Sequence, residues 1–484
     1  AARLESDFIE AELERLRTEP AAAVLMYQHG INLMAERRLE EASSYFRRFL
    51  DNYPEHSLAG RAKEQMVTMT SAAFFQRGTI GCVLPLSGRY EKIGRQALRG
   101  MELALSEASD GREDQGIPLR VLIRDSKSDP ETARKAVEEL AGRHVAAIAG
   151  PIETAPQAAQ AAQDQRLPII VMSQRDTVAE TGEYVFNNFI TPQMQVDAVT
   201  RYAMGRLGCR NFAVLFPDEG YGRTYLDLFG RRLAEEKARL VGAEPYNPEH
   251  TDFAGPIKKL AGLYYGLPAD IESQRLQGER LETMAESAGL HGKLFGQNIL
   301  PWMQPTGADA GERYGYGELM IDKPAPRVNF EAVFIPDSPE KAGLIIPQLR
   351  YYDINNAFLL GTNLWHSQKL IDIAGDHAGK AVIPEGFFAE SRRPGVREFV
   401  DKFEKVYGYE PGFLEAVGYD TAMILFEQIS DETVFNRPAL GRALSEMPAY
   451  RGLTGRTGFT ATGTADKSLY LLTVSRGRFV EITE

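Results

Sequence analysis

Polar side chains follow two neighbouring apolar runs of the sequence, at positions where parallel sheets bind ligands. Residues 148–176, IAGPIETAPQAAQAAQDQRLPIIVMSQRD, read as a short strand, a Gly-Pro turn, a helix beginning near Thr154 and a second strand. Glu153 and Thr154 follow the first strand, whereas Ser173 to Asp176 follow the second. Ligands bind outside the carboxyl ends of parallel strands, where helix N-termini offer free N–H groups and a partial positive charge.

The same pattern recurs along the chain. The clusters SGRY, PIET, SQRDT, DEGYG and GTNLW each come directly after an apolar strand. Any one of them is also explained as a helix cap or a turn, because Ser, Thr, Asp and Gly favour those positions. Five such clusters in succession favour a cleft between two lobes.

Motifs of the common enzyme classes are missing. The sequence has no G-x-x-x-x-G-K-[ST], no G-x-G-x-x-G after its first strand, no G-x-S-x-G and no H-E-x-x-H. Its seven histidines are scattered, and neither Cys82 nor Cys209 belongs to a metal-binding spacing. We therefore expect no enzyme activity, no cofactor and no metal site.

Composition excludes further classes of function. The chain has 484 residues, which favours two or three domains, and 43% of them are hydrophobic, as in an ordinary globular protein. Its net charge of −12, without a Lys/Arg block, argues against nucleic-acid binding. The sequence contains no run of about 20 apolar residues, which is the length that a helix needs to span a bilayer. Because the sequence starts AARLESDF, without Met or an apolar signal core, we expect that a targeting segment has been removed.

The chain changes character near residue 75. Apolar residues before it recur at three- and four-residue spacings, which predicts helices only. After it, runs such as TIGCVLPL, IPLRVLIRDS and VAAIAG alternate with amphipathic segments, and a second series begins at CRNFAVLF. This alternation predicts an α/β fold with two doubly wound, helix-covered parallel sheets.

The helical region contains one segment with the offsets of a tetratricopeptide repeat. In MYQHGINLMAERRLEEASSYFRRFLDNYP, Gly30 and Ala42 would let paired helices approach closely, Phe46 would fill the groove, and Pro54 would end the second helix. Only one full repeat is visible. The region is therefore either a helical hairpin packed on the next domain or a module that binds a partner.

Several stretches carry a family resemblance. GCVLPLSGRYEKIGRQALRGMELAL, the run from IAGPIET to IIVMS, FAVLFPDEGYGRTY, GFFAESRRPGVREFVDKFEKVYGYEPGFLEAVGYDTAMIL and GLTGRTGFTATGTADKSLYLLTV resemble type I periplasmic solute-binding proteins of the leucine/isoleucine/valine-binding family. The resemblance covers about residues 78–484. A preceding helical repeat is similar to the penicillin-binding-protein activator lipoproteins of Gram-negative bacteria.

The resemblance implies two Rossmann-like lobes, joined by three crossover strands, that close over a small molecule. The implied domains are a helical domain at 1–75, lobe 1 at 78–190 plus 391–453, and lobe 2 at 191–390 plus 454–484, with an insertion at about 255–327. Since Cys82 and Cys209 then belong to different lobes, we expect no disulfide between them.

Ligand-binding positions follow from the resemblance residue by residue. They are Ser87, Gly88, Arg89, Tyr90, Glu153, Thr154, Ser173, Gln174, Arg175 and Asp176 in lobe 1, and Tyr221, Asn363 and Trp365 in lobe 2. Hydroxyls and helix amides would bind a carboxylate, and an acid with an aromatic ring would bind an ammonium group.

Three features depart from the family's pattern. Glu153 stands where small hydroxyl residues are usual and would repel a ligand carboxylate, and Asn363 stands where an acid is usual. Gln174 to Asp176 replace small residues. Arg175 either lines an open cleft or pairs internally with Glu153 or Asp176.

Two functions remain open at this point. The first is an extracytoplasmic receptor for an amino-acid-like or peptide-like molecule, serving the membrane permease of an ABC transporter. The second is an envelope scaffold that activates peptidoglycan-synthesis enzymes through the helical domain and the lobes. Both imply a periplasmic protein, with a lipid anchor to a Gram-negative membrane through the removed N-terminal segment.

Overall fold

The chain folds as two compact units in a computed structural model that describes residues 20–36, 38–73, 75–110, 118–262 and 328–483, with a few positions between 9 and 16. The first unit comprises Ala1–Ala198, Pro384–Leu471 and Glu481–Glu484, and the second comprises Val199–Ile383 and Leu472–Val480. Most of the predicted insertion, residues 263–327, lies outside the described residues.

The N-terminal region is helical, with α1 at Pro20–Ala35, α2 at Leu39–Asn52 and α3 at Ala59–Ala73. Ala42 and Phe46 are fully buried, and a Cβ atom added at Gly30 would lie 2.8 Å from the Phe46 ring. The helix α2 ends at Asn52, just before Pro54. The predicted close-packed hairpin is therefore present, whereas its identity as a tetratricopeptide repeat stays a prediction.

The first unit contains a five-stranded parallel sheet in the order β2-β1-β3-β4-β5. Its strands and the helices between them are β1 Thr79–Leu84, α4 Glu91–Asp110, β2 Arg120–Asp125, α5 Pro130–Gly142, β3 Ile148–Ala149, α6 Ala155–Asp164, β4 Ile169–Val171 and β5 Val185–Asn187. Every residue of β1 is buried, because this strand is covered on both faces.

The second unit is built around a seven-stranded sheet in the order β15-β14-β10-β9-β8-β6-β7, in which β6 to β10 are parallel. The chain enters it through α7 Pro192–Gly205. Its further elements are β6 Asn211–Pro217, α8 Gly220–Glu235, β7 Arg239–Tyr246, α9 Ala254–Leu260, β8 Ala332–Phe334, α10 Pro339–Tyr351, β9 Phe358–Leu360, α11 Gln368–Ala374 and β10 Ala381–Glu385. Both units thus have the predicted helix-covered parallel strands.

The last part of the chain returns to the first unit before it completes the second sheet. Its elements are α12 Pro394–Tyr407, α13 Phe413–Ser430, α14 Arg437–Glu446, β11 Tyr450–Gly452, β12 Gly455–Phe459, β13 Ala465–Lys467, β14 Tyr470–Ser475 and β15 Arg478–Glu481. The strands β11 to β13 form a separate antiparallel sheet.

This antiparallel sheet lies in the first unit, whereas the sequence analysis assigned residues 454–484 to lobe 2. Buried polar side chains account for the difference. The carboxylate of Asp420 on α13 accepts hydrogen bonds from Thr454, and the ammonium group of Lys467 donates 2.7 Å bonds to Asn188 and Thr457. Residues 454–471 therefore pack on the first unit.

A close contact between α4 and α13 organises the core of the first unit. A side chain at Gly100 would collide with the backbone oxygen of Glu415, and one at Gly418 would collide with that of Ala97. The two helices can therefore approach backbone to backbone, so that α13 packs directly on α4.

Both cysteines are free and buried, as predicted. The sulfur of Cys82 on β1 is 3.6 Å from the sulfur of Met101. Among the residues that the structure describes, no helix combines the length and the apolar character needed to cross a bilayer.

Candidate functional site

The first predicted loop, residues 87–90, follows β1 and is fixed by the end of β2. The Ser87 hydroxyl donates a 2.6 Å hydrogen bond to Asp125, and the Leu86 amide donates a 2.8 Å bond to the same carboxylate. Burial alone would raise the pKa of Asp125, but these bonds and one from the Lys127 amide outweigh it and hold the pKa below its ordinary value. The Ser87 hydroxyl thus stabilises the conformation of the loop through its bond to Asp125.

The rest of this loop is tight and partly exposed. Gly88 has φ +83°, and a Cβ atom there would lie 2.7 Å from the Lys127 carbonyl oxygen. The Ser128 hydroxyl accepts a 3.1 Å bond from the Tyr90 amide. The exposed Arg89 guanidinium lies 5.3 Å from the centre of the Tyr90 ring. A cation and an aromatic ring therefore stand together at the start of α4.

The second loop, after β3, carries polar atoms that lack hydrogen-bond partners. Both carboxylate oxygens of Glu153 are shielded from solvent and have no hydrogen-bond partner among the residues that the structure describes. The Thr154 side chain is 3% exposed, and its hydroxyl has no partner although the residue is the N-cap of α6. Burial raises the pKa of Glu153, and the residue's own backbone amide, which lies near the carboxylate without meeting hydrogen-bond geometry, opposes this. Since buried polar groups in proteins are nearly always hydrogen-bonded, these atoms need an explanation.

The third loop, after β4, is held by Asn187 at the end of β5. The Ser173 amide donates a 2.9 Å bond to the Asn187 side chain, which donates a 2.9 Å bond back to the Ser173 carbonyl. The Ser173 hydroxyl accepts from the Arg175 amide at 3.2 Å. The Gln174 and Arg175 side chains are exposed.

Asp176 ends this loop and starts a 3₁₀ helix, Asp176–Thr181. Its Oδ1 atom is buried without a hydrogen-bond partner. Burial raises the pKa of Asp176, and the negative charges of Asp197 and Glu180 add to this, while the Thr191 hydroxyl opposes it. Because Glu153 has no partner either, the structure does not show the internal pairing of Arg175 with Glu153.

The three loops lie along one edge of the first sheet. β1 pairs with β3 and β3 pairs with β4, all in parallel, so their carboxyl ends point the same way. The Met172 amide donates a 2.9 Å bond to the Pro151 carbonyl and so ties the second and third loops together. We call residues 87–90, 153–154 and 173–176 the loop cluster.

In the second unit, two of the three predicted positions lie at the carboxyl ends of parallel strands. Tyr221, at the start of α8, is 37% exposed, and its hydroxyl is 3.4 Å from that of Thr362. Asn363 follows Thr362 after β9. These residues give the second unit its own small polar and aromatic surface.

Trp365 lies in the interior of the second unit, whereas the sequence analysis placed it on the ligand-binding surface. Its side chain is fully buried, and Gly361 leaves the space that the indole occupies, because a Cβ atom there would collide with the ring. Its Nε1 atom has no hydrogen-bond partner.

Residues 78–263 and 327–478 match the sequence profile of a family described as Periplasmic binding protein. The match covers well over half of the chain. The chain belongs to the periplasmic binding protein family. This confirms the predicted family and the type I α/β fold, and the family implies an extracytoplasmic location.

Proteins similar to this binding protein are named after the binding or transport of branched-chain amino acids. A Leu/Ile/Val-binding protein homolog 3 of Brucella melitensis is 21% identical over 227 residues, which are 45% of this chain and 60%, less than two thirds, of that relative. A putative branched-chain amino acid ABC transporter structure from Rhodospirillum rubrum has a TM-score of 0.65 at 20% identity, covering 84% of this chain and 99% of that one.

A second solved structure is that of a branched-chain amino acid transporter substrate binding protein from Streptococcus pneumoniae in complex with isoleucine. It has a TM-score of 0.50 at 19% identity and covers 84% of this chain and 99% of that one. At such identities these structures support the fold alone. The names of the relatives are those of binding and transport proteins, in agreement with the prediction of a non-enzyme.

Residues that the sequence analysis missed support this binding protein's loops from beneath. They are Asp125, Ser128 and Asn187. Asp125 and Asn187 each close an apolar strand, in VLIRD and YVFN, which is the same signal that identified the five clusters. Reading every strand end, including the edge strands, would have found them.

The buried carboxylate of Glu153 makes the stability of the binding protein depend on pH. Since the pKa of Glu153 is raised on folding, its contribution to stability is present below the ordinary pKa of 4.5 and is lost as pH rises through the folded value. Glu153→Gln should therefore raise the free energy of unfolding by about 1 kcal/mol near neutral pH, a modest value because the side chain is only half-buried.

Thermal unfolding near pH 7 and near pH 4 measures this difference, and the gain should vanish at the lower pH. Glu180→Gln is the matched control, because Glu180 is an exposed acid in the neighbouring 3₁₀ helix. A Glu153→Gln variant that is less stable near pH 7 would show that the carboxylate has a partner in the folded protein.

Proposed function

We propose that the protein is a solute-binding receptor that holds a small amino-acid-like or peptide-like molecule, with the loop cluster and the Tyr221 surface both taking part. The observation that carries the proposal is the set of buried, unpartnered polar atoms of Glu153 and Thr154. An unmade hydrogen bond of a buried group costs about 1–3 kcal/mol, which is recovered when a ligand supplies the missing partner.

Closure of the two units over the ligand belongs to the same proposal. Closing would exclude water from the bound ligand. The names of the relatives support delivery of the solute to the permease of an ABC transporter, and we propose such a permease as the membrane partner. A lipid anchor preceding residue 1 would keep the receptor at the membrane surface.

One observation favours a second function. The hairpin of α1 and α2 lies in residues 1–77, outside the family match, and has its own core around Phe46 and Phe49. A receptor that only delivers solute needs no such addition. The hairpin therefore supports an envelope scaffold that contacts peptidoglycan-synthesis enzymes. Ligand binding would then regulate this contact.

A thermal-shift screen of the full chain tests the receptor function. The compounds are amino acids, small peptides and peptidoglycan fragments. A ligand at 100-fold its Kd should stabilise the folded state by about 2.7 kcal/mol. If no compound in these classes raises the melting temperature, the receptor function is contradicted and the scaffold remains.

Arg175 offers a direct test of the loop cluster. Its side chain is exposed, so Arg175→Ala should leave stability nearly unchanged. It should change the affinity for the ligand found in the screen by at least about 1–2 kcal/mol, the value of one charge-assisted contact. Calorimetric titration and melting curves of the same variant measure the two quantities.

The control is Arg120→Ala, because Arg120 is exposed at the opposite end of its strand, β2. It should change neither quantity. A loss of several kcal/mol in unliganded Arg175→Ala would mean that Arg175 compensates a carboxylate inside the fold.

A further inference from the structure

We infer, on the basis of the proposed function, that Glu153, Thr154 and Asp176 recognise a positively charged amine. The preferred solute would then be a cationic amine, such as an alkylamine or an amino acid amide, and not one that presents a carboxylate to the first unit. Two acidic side chains alone would not carry this inference. The independent observation is the Thr154 side chain, which is 3% exposed with a hydroxyl that has no partner.

The unpartnered atoms call for a hydrogen-bond donor. They are the two carboxylate oxygens of Glu153, the Oδ1 atom of Asp176 and the hydroxyl of Thr154. An ionised carboxylate can only accept hydrogen bonds, and a hydroxyl accepts as readily as it donates. An ammonium group brings three donors and one positive charge, which is the complement of such a set.

Within the part of the chain that the structure describes, no basic side chain is bonded to the unpartnered atoms of these acids. Arg175 directly precedes Asp176 in the sequence, but its side chain is exposed, and Glu153 remains without a partner among the described residues. Lys467, the buried cation of the first unit, is bound to Asn188 and Thr457. A ligand cation would therefore not compete with an internal one.

The surrounding charge is negative. Asp197 and Glu180 are close enough to Asp176 to affect its ionisation. A ligand carboxylate placed beside Asp176 would meet three acidic groups, Asp176, Asp197 and Glu180, and would be repelled. A cation in the same position would be attracted by all of them.

The N-terminus of α6 does not reverse this balance. A helix N-terminus favours a negative charge, and in many binding sites the ligand provides it. Here Glu153 comes directly before the N-cap Thr154, so the chain itself places a carboxylate at the start of the helix. The positive end of the helix is compensated before any ligand arrives.

Matched leucine derivatives test the inference by calorimetric titration of the full chain. Leucine has an ammonium group and a carboxylate, leucinamide keeps only the ammonium group, and isocaproate keeps only the carboxylate. We expect leucinamide to bind at least about tenfold more tightly than leucine, and isocaproate not to bind. If the screen finds another ligand, its amide and its deaminated form replace these probes.

Variants identify the residues responsible. Glu153→Gln should weaken leucinamide binding by about tenfold or more, because the amide keeps the shape and loses the charge. Glu183→Gln removes an exposed charge without touching the unpartnered atoms and should change the affinity by less than about threefold.

The outcomes separate the inference from the proposed function. Tighter binding of leucine than of leucinamide, retained in Glu153→Gln, overturns the inference and leaves the receptor function standing. That result would mean that the acidic groups are protonated and donate to a carboxylate. A chain that binds neither these probes nor any compound in the screen contradicts both.

Discussion

Replacing Asp420 by alanine is expected to lower the free energy of unfolding by about 3–5 kcal/mol. Asp420 is fully buried and accepts hydrogen bonds from the Leu453 amide at 2.8 Å, the Thr454 amide at 2.8 Å and the Thr454 hydroxyl at 2.6 Å. Its charge also acts on Lys467, whose pKa is lowered to about 8 by burial and is raised in part by Asp420. Without Asp420, these donors and a buried cation would lose their compensation.

Urea denaturation measures the loss, with Asp466→Ala as the control. Asp466 is the exposed neighbour of Lys467 on β13, so its replacement should change stability by less than about 0.5 kcal/mol. A loss below about 1 kcal/mol in Asp420→Ala would show that water replaces the missing carboxylate. Residues 454–471 would then not depend on Asp420 for their place in the first unit.

The second large effect is expected at Gly100, where alanine should cost about 2–3 kcal/mol. Its added methyl group would collide with the backbone oxygen of Glu415, so α4 and α13 would have to separate. Alanine is intrinsically better than glycine in a helix, and the expected loss therefore runs against helix propensity.

Gly142→Ala is the matched control, because Gly142 is also a helical glycine and has no atom within 4 Å of the added methyl group. It should be neutral or stabilising by up to about 1 kcal/mol. Equal melting temperatures for the two variants would mean that the helices tolerate a wider spacing.

The strand–helix alternation could be predicted because buried parallel strands leave continuous apolar runs in the sequence. TIGCVLPL contains β1, Thr79–Leu84, and CRNFAVLF contains most of β6. The place of residues 454–471 could not be predicted in this way. It depends on Asp420 and Thr454, 34 residues apart, and on Lys467 and Asn188, 279 residues apart, and no local pattern reports such contacts.

The position of the loop cluster could be predicted, but the state of its side chains could not. Ser87 and Ser173 have the residue type of ligand-binding groups, yet their hydroxyls bond to Asp125 and to the Arg175 amide. Thr154, of the same chemical type, remains unpartnered. Which hydroxyl stays free depends on side-chain geometry. Trp365 is a similar case, because the space left by Gly361 decides its burial.

The two free thiols determine how the protein behaves in an oxidising compartment. Burial raises the pKa of Cys82 to about 12 and that of Cys209 to about 11. Only the thiolate attacks a disulfide, so we expect both residues in the folded chain to form mixed disulfides with glutathione or a thiol oxidoreductase far more slowly than an exposed cysteine. We therefore expect both thiols to react with oxidants before folding is complete and to be protected in the native protein.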